Sequence, residues 1–407
     1  PKGIPGIGEP GIQGEAGAAG AAGEAGAAGE AGEAGAAGAA GAAGAAIVRN
    51  IPAGNVITTL VSSAISEDSQ SLTIGADGLG LISYRDATNA DLKVAHCDNT
   101  NCTSATKSTI DSTVAVGGST SITIGADGLG LISYWDSNND DLKVAHCSNT
   151  NCTTATITTL DETGDVGRFT SITIGADGLG LISYWDSTNN ALKVAHCDNT
   201  ACTSATTSTL DSDGDVGSVP NITIGADGLG LISYYDSDNS ALKVAHCDNT
   251  ACTSATKSTI DSTSETIGWW PSITIGADGL GLISYYDNTN TALKVAHCDD
   301  TNCTSATKTT LDSTGNVGDH TSITIGADGL GLISYRDITN SDLKVAHCSN
   351  TACTSATAAT IDSTGRYPSI TIGVDGLGLI IYSDVPNTNL KVAHCENAFC
   401  TPYFRRR

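Results

Sequence analysis

The stretch ITIGADGLGLISY at residues 122–134 returns almost unchanged at 172, 222, 273 and 323, with variants at 72 and 370. Seven copies at intervals of about fifty residues point to a propeller or a solenoid before any other architecture. Inside one copy, SITIG reads as a first strand and LGLISYW as a second. The A-D-G between them is expected to turn with Asp127 and Gly128 at the positive φ angles of a type I′ hairpin. A polar D-x-x-N loop then leads to ALKVAHC, and a C-x4-C loop to a fourth strand such as ATTSTLD. Four antiparallel strands taken seven times predict an all-β fold, a seven-bladed β-propeller.

The two ends of the repeat array favour a closed ring. The last copy stops at TPYFRRR (401–407) without a fourth strand, while NVITTLV (55–61) precedes the first copy and matches ATITTLD (155–161) at ITTL. Leu60 to Leu72 is also the same distance as Leu160 to Ile172. Residues 55–61 are therefore expected to complete blade 7, in a domain running from 55 to 407 with repeats starting near 71, 121, 171, 221, 272, 322 and 369. A ring closed this way leaves no open sheet edge.

Ahead of the repeats the period is three. Glycine falls at every third residue from Gly8 to Gly44, and only glycine fits the axis of three wound polyproline-II chains. The stretch resembles the collagen-like stalks of bacterial and phage surface proteins. That resemblance predicts a stalk over residues 1–46, a linker at 47–54, and self-association as a homotrimer or filament. Proline in the stalk is confined to Pro1, Pro5 and Pro10, and the register slips at Gly6-Ile7-Gly8, so the stalk would need lateral packing or a trimerising neighbour; the alternative is a flexible Gly/Ala linker. If wound, the stretch from Gly8 to Ala46 spans about 120 Å.

The chain carries a formal net charge of −25, which repels phosphate backbones and anionic lipid, so neither nucleic acid nor a membrane surface is an expected partner. No apolar run is long enough for membrane insertion. The chain starts at Pro1 and has no methionine, which suggests a processed chain or a fragment. Fourteen cysteines in seven regular pairs predict an oxidising, extracellular or cell-surface setting.

The pairs expected from the four-residue loops are Cys97–Cys102, Cys147–Cys152, Cys197–Cys202, Cys247–Cys252, Cys298–Cys303, Cys348–Cys353 and Cys395–Cys400. Each should clip the two outer strands of a blade, where burial is least, with Cα atoms about 5.5 Å apart. Zinc is the rival reading, but each repeat offers only His and two Cys where tetrahedral zinc wants four ligands. The preceding histidines, such as His96 and His146, are then expected to pack between blades and bond a nearby Ser, Thr or Asp. Calcium lacks its run of alternating oxygen ligands, and turn chemistry accounts for Asp-Gly; no cofactor is expected.

A ligand site is placed on the face carrying the D-x-x-N loops, whose inter-blade segments vary. The residue before that loop changes from copy to copy: Arg85, Trp135, Trp185, Tyr235, Tyr286, Arg336 and Ser383. With Trp269, Trp270 and Phe169 these planar groups can stack on a glycan while Asp136 and Asn139 bond its hydroxyls; packing between blades is the alternative. A sialidase-like hydrolase would need an asymmetric set of arginines and acids that no single blade carries, and the Asp-box of that family is not matched. The expectation is therefore a non-enzymatic subunit of a surface filament or appendage, the alternative being a glycan-binding adhesin, lectin or phage tail-fibre head.

Overall fold

A computed structural model of the chain describes residues 54–263, 266–385 and 387–401. The predicted stalk and all of the linker except Gly54 lie outside the described residues. Those that are described form twenty-eight strands in seven four-stranded antiparallel sheets. Each complete blade runs from the channel outward in chain order. Blade 3, for example, consists of Val166–Ile174, Gly180–Asp186, Ala191–Cys197 and Ala205–Asp211. The last sheet draws its outermost strand from the other end of the array: Val56–Val61 pairs antiparallel with Leu390–His394. Leu60 and Val61 are buried there, so the chain closes its own ring with main-chain hydrogen bonds and an apolar contact.

The cores lie between blades. One cluster joins Leu131, Leu142 and Val144 of blade 2 to Ile172, Ile182 and Tyr184 of blade 3, and the pattern repeats at every junction. Strand alternation explains it: residues two apart share a face, so the sandwiched strands bury side chains on both faces and read as near-continuous apolar runs. Around the channel, neighbouring inner strands are tied by side chains. Ser121 Oγ accepts the Ile172 N–H at 3.2 Å, and Ser171 Oγ accepts that of Ile222 at 3.2 Å.

The A-D-G turn differs from the type I′ expectation. Gly125 C=O accepts the Gly128 N–H and Gly125 N–H donates to Leu129 C=O, so the loop has three residues. Only Gly128 takes positive φ (+80°); Asp127 does not. A type I turn closed by a left-handed glycine is the other standard hairpin solution, and it frees the aspartate side chain. Asp127 Oδ1 accepts the Leu129 N–H, and Oδ2 meets His146 Nε2 at 2.7 Å. The same His–Asp bond, at 2.7–2.8 Å, recurs in all seven copies. Each histidine thus fastens the turn of its own blade.

The seven disulfides form at the expected pairs, with no free cysteine among the described residues. Two details differ from expectation. The second cysteine lies in the loop at positive φ (Cys102, 51°), ahead of the outermost strand starting at Ala105, so the bridge locks the loop that joins the outer strands. The cystines are also fully buried. Their close packing explains the middle glycine of L-G-L: a Cβ on Gly230 would come within 2.7 Å of Cys247 Sγ.

Candidate functional site: the channel mouth

The innermost strand of blades 2 to 7 carries an irregularity that the repeats do not announce. In blade 3 the pairing jumps from Arg168↔Trp185 to Ser171↔Ser183, and in blade 5 from Trp269↔Tyr286 to Ser272↔Ser284. The residue at the bulge stands in the left-handed region although it is not glycine: Ser119, Phe169, Val219, Trp270, His320 and Tyr367, with φ between 47° and 51°. Such backbone costs about 1–3 kcal/mol per residue, more than a turn-forming residue would incur. In return the bulge re-aims one side chain per blade into the channel. These six positions carry six different residues on a repeated scaffold, so the blades differ from one another at the channel mouth.

The side chains converge. Trp270 stacks on His320 with ring centroids 4.0 Å apart, His320 meets Tyr367 edge-on at 4.2 Å, and Phe169 meets Trp270 edge-on at 5.7 Å. Together they rim a cavity of about 200 Å³ on the channel axis. Its wall beyond the aromatic rim is polar, with Ser121, Ser171, Asn221 and Ser322 among the lining groups. His320 Nδ1 lies 2.8 Å from Asp319 Oδ2, and Arg336 reaches the same carboxylate at 3.4 Å. One charged cluster therefore sits at one side of the rim.

In blades 2 to 7 the residues anticipated before the D-x-x-N loops stand behind this rim, each paired across the sheet with the residue just before the bulge. Tyr235 and Tyr286 are buried, and Arg85, Trp135, Trp185 and Arg336 are half-buried. Tyr286 donates its hydroxyl to Asn316 Oδ1 at 2.6 Å, and burial, helped by the Asp319 charge, pushes its pKa up. Trp135 lies under the Arg168 guanidinium at 4.4 Å, and Trp185 backs Phe169 at 6.2 Å. Ser383, in blade 7, is buried. These groups pack between blades and support the rim. Trp269 differs, being exposed and resting on Tyr235 with centroids 5.2 Å apart. Trp270 and Phe169 join the rim itself.

The D-x-x-N side chains are already occupied. Asp136 Oδ1 accepts the Asn138 and Asn139 N–H groups, and Asn139 Nδ2 donates back to Asp136 Oδ2 at 3.0 Å. These bonds shape the loop. His320 and Tyr367 were missed in the sequence because no glycine or turn residue marks the bulge. Aligning the copies on S-I-T-I would have revealed them: the residue two places before that serine differs in nearly every blade.

No known sequence family matches the chain, and no curated protein resembles it in sequence. Its fold is shared with solved structures. A protein of unknown function from Dyadobacter fermentans superposes with a TM-score of 0.52 at 11% identity, over 84% of this chain and 97% of that one. Hydrazine synthase of Kuenenia stuttgartiensis gives 0.56 at 11% identity, over 81% and 96%. An α-L-arabinofuranosidase from Fusarium graminearum, solved with an iminosugar inhibitor, gives 0.50 at 11% identity, over 84% and 96%.

The expectation of a non-enzymatic protein is corrected by these neighbours, since discs of this fold carry enzymes. Seven near-identical blades offer no asymmetric site through their repeated positions. The bulges supply the missing asymmetry, because one side chain in each of blades 2 to 7 changes there while the strands around it repeat.

Proposed function

We propose that the propeller binds a glycan at the mouth of its central channel. One observation carries this reading: Phe169, Trp270, His320 and Tyr367 gather at contact distance above a cavity walled by hydroxyl and amide groups. A sugar ring has apolar C–H faces and a polar edge. Aromatic faces over a polar floor suit that division, because stacking is realised without stranding hydroxyls in an apolar site. The cavity has room for a single sugar residue, so a chain end or a side branch is the expected ligand. Seven cystines support an extracellular or otherwise oxidising setting for this head.

The glycine-every-third sequence at 8–44 supports the wider proposal that the head is displayed on a collagen-like stalk, as a homotrimer or filament subunit. Three heads on one stalk would raise weak single-site affinity by avidity. Electron micrographs of purified material test this part, and free single heads alone would refute it.

Glycan-array binding tests the site. Trp270→Ala and Tyr367→Ala should each abolish the signal of the parent, while Trp269→Ala, outside the cavity, should leave it largely intact. An array that stays blank, or binding unchanged in Trp270→Ala, refutes the assignment.

A further inference from the structure

Six of the seven seams between blades carry the same buried cluster. A tyrosine hydroxyl from one blade donates to an aspartate on the outermost strand of the blade before it, at 2.6–2.8 Å. A lysine of the tyrosine's own blade reaches the same carboxylate. The seam of Asp211 is the fullest example. Oδ2 accepts from Tyr234 at 2.7 Å and Lys243 at 2.6 Å. Oδ1 accepts from Lys257 at 2.9 Å and from the Asp213 N–H at 3.3 Å.

The seventh seam, where the ring closes, keeps the donors and lacks the acceptor. Position for position, Val61 replaces Asp211, Ser63 replaces Asp213, and Tyr84, Lys93 and Lys107 stand for Tyr234, Lys243 and Lys257. The register is unchanged, since Val61 opposes Leu390 as Asp211 opposes Leu192. Lys93 turns to Asp86 in its own blade and is 22% exposed, against 12% for Lys243. The Tyr84 hydroxyl, the Lys107 ammonium and the Ser63 N–H have no acceptor among the described residues, although the Tyr84 side chain is buried. Beside them opens a cavity of about 260 Å³, lined by Val61, Ser63, Tyr84, Lys93 and Lys107 with neighbouring hydroxyls.

The geometry points to a binding site for a small organic carboxylate at this seam. Two ammonium groups, a phenol and a backbone N–H face a space where the six sister seams hold a planar pair of oxygens. A carboxylate reproduces that pair, and charge-assisted hydrogen bonds are the strong ones. At about 30 Å³ per water, the cavity also has room for a few carbons behind the carboxylate. A ligand here would tie the closing strand to blade 1 and so stabilise the ring at the one seam that lacks its own anion.

Thermal unfolding of the full chain tests this, with sodium acetate exchanged for sodium chloride at constant ionic strength. Acetate should raise Tm saturably, by about 2 °C once well above its Kd; a general salt effect would rise without saturating. Val61→Asp should raise Tm without acetate and remove the acetate response. Tyr84→Phe should raise the half-saturating acetate concentration about tenfold, and it decides the matter if Val61→Asp fails to fold. No saturable rise in the parent, an undiminished response in Val61→Asp, or an equal response to inorganic phosphate overturns the assignment.

Discussion

Asp211→Val would copy the chemistry of the closing seam into the seam between blades 3 and 4, and its cost can be worked from the contacts. Asp211 is 1% exposed and accepts from Tyr234, Lys243 and Lys257. Burial alone would raise its carboxyl pKa, but the hydrogen bonds from Lys243, Tyr234 and Lys257 outweigh it and bring the group from 3.8 down to about 2. An ionised form favoured to that extent contributes about 2 kcal/mol at neutral pH. The variant also strands the Tyr234 hydroxyl, at about 1–3 kcal/mol. Part of this returns, because Lys243 can fall back on Asp236, 3.6 Å away, as Lys93 falls back on Asp86.

The net expectation is a loss of about 3 kcal/mol, near the lower end for breaking a buried pair. Urea unfolding at neutral pH measures it. The pH dependence supplies a second check with a definite sign. The folded pKa lies below the unfolded one, so the contribution is complete above about pH 4 and disappears as the pH falls towards 2. The gap between parent and variant should narrow over that window. A variant within about 0.5 kcal/mol of the parent at neutral pH, or a gap unchanged down to pH 2, would refute the reasoning.

Three further outcomes are expected. Replacing Cys247 and Cys252 together by alanine should cost about 2 kcal/mol in urea unfolding, because the closed loop is short. Gly230→Ala should cost about 1–3 kcal/mol, since the new Cβ would meet Cys247 Sγ at 2.7 Å and Leu181 at 3.0 Å in a filled core; a neutral result would show the cystine free to move. Deleting residues 55–61 removes the outermost strand of blade 7 and exposes the edge at Leu390–His394, so light scattering should detect association that the intact chain lacks.

Much of the fold is legible in the letters because each blade is a local object. ITIGADGLGLISY holds two strands and the turn between them, and apolar runs flanked by turn residues leave little choice of register. The ring closure is legible too, since ITTL at 57–60 repeats a fourth strand found elsewhere in the chain. The turn type was misjudged because Asp-Gly suits two hairpin solutions, and the choice depends on whether His146 claims the aspartate. The variation of the residues before the D-x-x-N loops is legible in the sequence, whereas their place behind the rim is set by the pairing of the strands.

By itself the sequence determined the number of blades, the strand order within each continuous blade and the cystine pairs, all of which arise from contacts within about fifty residues. Tertiary structure alone decided what gathers at the axis and what meets across each seam. Phe169 and Trp270 touch across an intervening blade, and no spacing rule in the chain announces that contact. The bulge that permits it is held in a costly left-handed conformation by surrounding strands, so its cause lies outside its own residues. The missing aspartate at Val61 is one altered letter in an imperfect repeat, and it acquires meaning only when Tyr84, Lys93 and Lys107 are seen to face the place it would have filled.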